Sequence, residues 1–257
     1  MAQDARSSDL AEALSLADEL LAIVRRDAPA VTHSRDRNDQ FLWVGISRAF
    51  RCLRSIRDVV ERHQEADDAF ILTRALASIT LRSLWMASPS DDEERIRRGR
   101  LILRDFLGAT ATQARELEAL GMPQPISSET WARRAAEVDV EGGLPTDVAL
   151  ARELGLEDVY ATAYRTASGS VHYSLDSALE GFDLGEADAT NEPVELSGLR
   201  IRFEDGQPER AANALVHACL IFATLLQRSD NILGNTFSEL VIRLFEDRYP
   251  DVMGDIG

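Results

Sequence analysis

Lysine is absent: all 28 basic residues among the 257 positions are arginine. Since the two cations serve equally on most solvated surfaces, this points to a GC-rich coding bias and a bacterial source before it points to chemistry. A lysine-bearing phosphate loop is excluded with it, and DGQPER, the nearest candidate, lacks the glycines too. Cysteine is scarce. Cys52 and Cys219 lie in apolar helical patterns without metal-like spacing, so neither a disulfide framework nor a zinc site is indicated. Only four histidines occur, scattered and without a carboxylate cluster at ligand spacing, so no metal or other cofactor is expected.

Also missing are an export signal and a clear membrane span. The first residues, MAQDARSSDLAEALSLADELL, carry acid where a signal peptide needs a positive start. The apolar windows around 70–86 and 214–226 are too short, or too interrupted by Arg74 and Arg82, to cross a bilayer. The expectation is a soluble, cytoplasmic protein. No internal repeat or low-complexity tract appears, and 45% apolar content supports a sizeable core.

What the chain has in plenty is negative charge, −16 overall and unevenly spread. Residues 1–128 hold 18 Arg against 20 acids, while residues 129–257 hold 10 against 24. Such a field opposes duplex DNA. The stretch PTDVALARELGLEDVYATAYR hints at a helix-turn-helix but lacks a basic recognition face, so DNA is not an expected partner.

Periodicity and capping signals predict an all-α bundle of about nine helices, at 9–27, 38–64, 67–87, 91–120, 128–138, 146–154, 157–180, 208–233 and 237–248. Asp9 with Glu12, Ser90 with Glu93 and Thr236 with Glu239 have capping-box spacing. Gly121, Gly155 and Gly181 mark helix ends, and Pro208 a helix start. One segment alternates instead: EPVELSGLRIRFEDGQPE predicts a small β-hairpin near 194–203, turning at Ser197 and Gly198. A single helical domain over 1–257 is expected, with residues 1–64 able to form a semi-independent hairpin packed on 65–257.

Two helices carry charge where a core should lie. In the second, Trp43, Ile46, Phe50, Leu53, Ile56 and Val60 build the apolar arc, and Arg57 projects into it. The third is apolar nearly all round yet bears Arg74, Ser78 and Arg82 along one stripe. A buried arginine must meet a carboxylate, carbonyls or a bound anion. The plain expectation is pairing with acids of adjacent helices or snorkelling to solvent; the sharper one is that Arg74 completes a polar pocket with residues of the seventh helix.

That seventh helix holds the densest set of chemically capable side chains. Over residues 160–179, Tyr164, Arg165, Ser168 and His172 fall within about one helical quadrant, with Tyr160 just outside it. The ordering of RALASITLRSLWM, then ARELGLEDVYATAYRTASGSVHYSL, then a hairpin and a long apolar helix resembles an uncharacterised bacterial family of unknown function, over about residues 40–230. Its Tyr, Ser and His, each separated by three residues, are Tyr164, Ser168 and His172 here. The family pattern has a glutamate four positions after the core arginine, where this chain has Ser78.

The same stretch more weakly resembles HEPN domains, helical bundles of toxin and phage-defence systems that act on RNA through an arginine and a histidine. That resemblance implies Arg165 and His172 as catalytic candidates, Tyr164 and Ser168 as orienting groups with Tyr160, Arg74 and Ser78 beside them, and a metal-free, often dimeric site. Histidine would move the proton of a ribose 2′-hydroxyl while arginine holds the phosphate. An arginine also precedes each of the other histidines by six or seven positions, at Arg26 and His33, Arg57 and His63, and Arg210 and His217. Only the pair at 165 and 172 brings a tyrosine and a serine. Two functions therefore stand: a non-catalytic helical module that binds a protein partner or a small anion, and a HEPN-like RNA endonuclease.

Overall fold

The computed structural model describes residues 2–27, 37–64, 66–89, 91–161, 163, 182–183, 200–201, 208–233 and 236–249. Nine helices lie among them: α1 (Ala2–Asp27), α2 (Arg37–His63), α3 (Ala66–Ala87), α4 (Asp92–Ala119), α5 (Ser128–Ala136), α6 (Asp147–Leu154), α7 (Glu157–Tyr160), α8 (Pro208–Leu233) and α9 (Phe237–Arg248). The expected all-α bundle is what the chain forms. Two short strands, β1 (Phe182–Asp183) and β2 (Arg200–Ile201), pair antiparallel with Phe182 opposite Ile201. The expected hairpin is corrected by that pairing: β2 lies within 194–203, but its partner is β1, upstream of the predicted turn. Alternating side chains favour an extended segment without naming its neighbour, because register follows whichever face is offered for burial.

The centre is built by α1, α2, α3 and α8, with α8 packed against each of the other three. Burial follows the 3.6-residue period: Leu16, Ala17, Leu20 and Val24 on α1, and Leu42, Ile46, Ala49, Leu53, Ile56 and Val60 on α2, are buried. Trp43 and Phe50 stand at the edge of that arc rather than within it. Their rings find partners there, Trp43 edge-on to Phe237 of α9 at 5.8 Å and Phe50 beneath the Arg25 guanidinium at 5.5 Å. Helices α3 and α8 bury residues nearly all round, from Ala69, Leu76, Leu81 and Trp85 to Ala211, Leu215, Phe222 and Leu226. They are the core helices.

Helix α8 is also long and apolar enough, over Pro208–Asp230, to cross a membrane by length and composition. The apolar stretch is longer than the 214–226 window, because its charged residues fall only at its two ends. Its apolar face is spent inside the bundle, as expected of a central helix.

Helices α2 and α3 approach closely at Gly45. A Cβ there would lie 2.6 Å from the Ser83 Cβ, and Ser83 is itself buried with its hydroxyl donating to the Ile79 carbonyl at 2.7 Å. Only glycine lets the two backbones come together.

Helix ends follow side-chain chemistry. The Asp91 carboxylate accepts from the Glu93 and Glu94 amides, Ser127 accepts from Thr130, and Thr146 from Ala149. Gly121 and Gly155, at φ 75° and 65°, close α4 and α6 in the left-handed conformation. The predicted boxes differ: the cap of α4 is Asp91, and Ser90 lies outside the described residues. Helix α1 begins at Ala2 rather than near Asp9, and Thr236 makes no side-chain cap on α9. The cap on α9 comes from α8, where the Asp230 carboxylate accepts from the Phe237 amide at 3.1 Å and from the Ser238 amide.

Helix α4 leads away from the centre. Near its start Leu101 joins the main core, while its second half buries Leu107, Ala111 and Ala114 outside that cluster and packs with α5.

Candidate functional site

Tyr164, Arg165, Ser168 and His172 lie outside the described residues, as do His33 and Gly181. Of the neighbouring candidates, Tyr160 ends α7 half-buried against the core, followed by a wider π-type turn at Ala161 and Ala163. Arg74 and Ser78 stand one turn apart on α3, both half-buried, and Arg74 has an interaction partner.

The other two arginines in apolar surroundings follow the plain expectation. Arg57 grips Asp18 of α1 through Nε at 3.0 Å and a second nitrogen at 3.1 Å, and also bonds Glu61. These partners hold its guanidinium charge well above ordinary arginine behaviour. Arg82 reaches Asp147 of α6 at 3.4 Å and Asp105 of α4 at 3.8 Å.

A stronger knot joins α3, α4 and α6. Arg98 lies 4.5 Å over the Trp85 ring and donates to the Trp85 carbonyl at 2.6 Å, to Glu94 at 2.8 Å, to Ser88 at 3.2 Å and to Glu153 at 2.6 Å. The indole N–H of Trp85 donates to the other Glu153 oxygen at 3.0 Å. Hydrogen bonds from Arg97 and Arg98 draw the Glu94 carboxyl down to about 2. This knot is a structural tie, because every guanidinium nitrogen and both Glu153 oxygens are already engaged.

Against that background, arginines without such ties stand out. On α2, Arg48, Arg51, Arg54 and Arg62 are exposed, and no carboxylate among the described residues pairs with them. At about 100° per residue, Phe41, Val44, Arg48, Arg51, Ser55 and Arg62 share an arc of about 80° along about 30 Å of helix. Phe41 is 51% and Val44 56% exposed. The acids nearest this face, Asp58 and Glu61, are held by Arg57.

Two of the pockets bordered by described residues lie elsewhere. One, of about 190 Å³, is lined among the described residues by Leu84 and Ser88 of α3, Leu154 and Leu156 at the α6–α7 junction, and Arg228 and Ile232 of α8. The other, of about 180 Å³, is lined by Asp158, Val159, Ala163, His217, Leu220 and Ile221. His217 sits 6.4 Å from the Phe70 ring, its Nδ1 is buried without a hydrogen bond, and burial lowers its pKa. Both thiols are raised by burial, Cys52 to about 11, so they are inert hydrophobes. Among the described residues no His, Cys, Asp and Glu cluster could hold a metal.

The architecture and these surfaces define an all-helical protein with a tied core and, among the described residues, a basic helix face and small pockets. Residues 44–189, more than half of the chain, match the family described as "Family of unknown function (DUF5677)", and the chain belongs to that family. No curated protein and no solved structure matches the chain. Sequence reasoning missed Arg228 and the Arg98 knot. The first has no sequence signal beyond a cation on an otherwise apolar helix. The second joins residues 85, 98 and 153, which no local periodicity links. The α2 stripe was legible in principle, since Arg48, Arg51 and Arg62 recur at helical spacing.

Proposed function

We propose that this protein is a non-catalytic helical interaction module that binds an acidic protein segment along the outer face of α2. One observation carries the reading: four exposed arginines without carboxylate partners among the described residues share that helix with solvent-facing Phe41 and Val44, in a chain of net charge −16. Where acid is in excess, leaving those cations unpaired costs Coulomb energy that pairing would recover, so an external acid is the natural complement. Exposed apolar groups beside them add contact area that a purely ionic face would lack. Nucleic acid is the weaker complement, because domains that bind it are basic as a whole and this one has a pI of about 4.7. A cytoplasmic location and a single folded unit belong to the same proposal.

The test is fluorescence anisotropy with a roughly 20-residue acidic peptide interleaved with Phe and Leu, long enough to follow the stripe. Replacing Arg48, Arg51 and Arg62 together by Glu should weaken binding at least tenfold and flatten its salt dependence, with far-UV circular dichroism unchanged. Equal binding by parent and variant would refute the reading. Metal-free cleavage of single-stranded RNA that disappears in His172→Ala, with thermal stability kept, would replace it with the HEPN-like nuclease.

A further inference from the structure

We infer that the pocket between α3, α8 and the α6–α7 junction binds a small amphipathic carboxylate, its apolar part among Leu84, Leu154, Leu156 and Ile232 and its head on Arg228. The walls are the first reason. Leu84 and Leu156 are almost fully buried at 3% and 6% exposure, Leu154 and Ile232 are half-buried, and together they make a surface that water wets poorly. A cavity of about 150 Å³ holds a benzene molecule, so one of about 190 Å³ suits an apolar group of roughly six to eight carbons. It falls well below the roughly 300 Å³ at which pockets for drug-sized ligands begin.

The second reason is which polar groups remain available. The Ser88 hydroxyl donates to the Trp85 carbonyl at 3.1 Å and accepts from Arg98 at 3.2 Å. Arg98 is fully engaged with Trp85, Glu94, Ser88 and Glu153. Glu153 is held by Arg98 and by the Trp85 indole, and Asp230, two residues from Arg228, caps α9. Among the described residues, Glu153 and Asp230 are therefore committed to structural roles. Arg228 itself has no hydrogen-bond or ion-pair partner among the described residues, although it belongs to a chain with 44 acidic residues. A planar fork of donors beside an apolar hollow matches a carboxylate, which it can grip with two parallel hydrogen bonds, better than an alcohol or an amine.

This pocket is lined by none of the α2 residues, so the inference stands independently of the interaction face. Its test uses the full chain with octanoate, octanol and octylamine as probes, read by isothermal titration and by thermal melting. Octanoate should bind at least tenfold more tightly than octanol, octylamine should not bind measurably, and tenfold excess of octanoate over its Kd should raise Tm by about 3 °C. Arg228→Gln, a substitution at an exposed position, should abolish the preference for octanoate while leaving the unliganded Tm unchanged. Ile232→Trp, which fills the hollow, should weaken octanoate and octanol alike. Equal affinity for octanoate and octanol, no binding of either, or unchanged octanoate binding in Arg228→Gln would each overturn the assignment.

Discussion

Replacing Gly45 by Ala adds one methyl group at a close approach of α2 and α3. On an exposed helix this change stabilises by about 1 kcal/mol, because alanine loses less backbone entropy than glycine. Here the new Cβ would stand 2.6 Å from the Ser83 Cβ, an atom that moves only with the α3 backbone. The Ser83 side chain is buried and bonded to the Ile79 carbonyl, so rotation offers little relief. Overpacking of this kind costs typically 1–3 kcal/mol, and an obstacle fixed to the backbone belongs at the upper end. The net effect should be a loss of about 2 kcal/mol, or a Tm lower by about 4–8 °C for a chain of this size. Urea unfolding followed by circular dichroism should show a lower midpoint with an unchanged slope. The decisive control is Ser83→Gly, which removes both atoms in the way. In the double variant Gly45→Ala should cost at least 1 kcal/mol less than it does alone. A neutral or stabilising single substitution, or strict additivity in the cycle, would mean that the two helices do not approach as described.

Three further outcomes test other parts of the structure. Arg98→Ala should cost about 2–3 kcal/mol, since it strips charged hydrogen bonds from a side chain at 11% exposure, and Arg98→Lys should restore less than half, an ammonium lacking the planar fork; equal stability of the Lys variant and the parent would argue against the knot. Asp230→Ala should cost about 1–2 kcal/mol and speed amide exchange at Phe237 and Ser238, while Asp230→Asn, with one acceptor oxygen for two amides, should restore only part of the cap; unchanged exchange would remove Asp230 from that role. Burial lowers the His217 pKa, so the unfolded chain binds more protons there, and stability should be complete above the ordinary histidine value near 6.5 and fall as pH drops below it. His217→Gln should flatten that slope, as measured by urea midpoints across the range.

How far the sequence foretold this structure depended on whether each element speaks through its own period. Helices α2, α3 and α8 were legible because the residues that face the core recur every three or four positions and their ends carry caps or breakers. Arg57 was legible as a contradiction, a cation in an apolar arc, though its partner Asp18 lies 39 positions away on another helix and no spacing names it. Trp43 and Phe50 were placed in the core by hydrophobicity alone, whereas the structure gives those inward positions to Leu42 and Ala49 and turns the rings to the edge. Ile46, Leu53, Ile56 and Val60 are buried as expected, so the arc is narrower than hydrophobicity alone implies and the two rings fall at its edge. The α9 cap failed too: Thr236 has the right local spacing, but Asp230 from the preceding helix reaches the free amides first. Of the candidate site, the described residues bear on Arg74, Ser78 and Tyr160; Tyr164, Arg165, Ser168 and His172 fall outside them.

The wholesale use of arginine gives the tied and the untied cations different meanings. Where elements must be joined across the bundle, the guanidinium joins them: Arg57 binds α2 to α1, Arg98 binds α4 to α3 and α6, and Arg248 binds α9 to Glu12, Ser15 and Glu19 of α1. Arg104 holds the chain after α5 through the carbonyls of Val140 and Gly142. Each such tie uses several donors at once, which an ammonium cannot do with the same geometry. Exposed single ion pairs contribute little to stability, so an arginine that makes no tie has little structural reason to be where it is. Arg48, Arg51 and Arg62 on one face of α2, Arg54 to the side of it, and Arg228 beside an apolar hollow are in that position among the described residues of a strongly acidic chain. The fold explains the first set of arginines without remainder, and it is the second set that calls for something outside the chain.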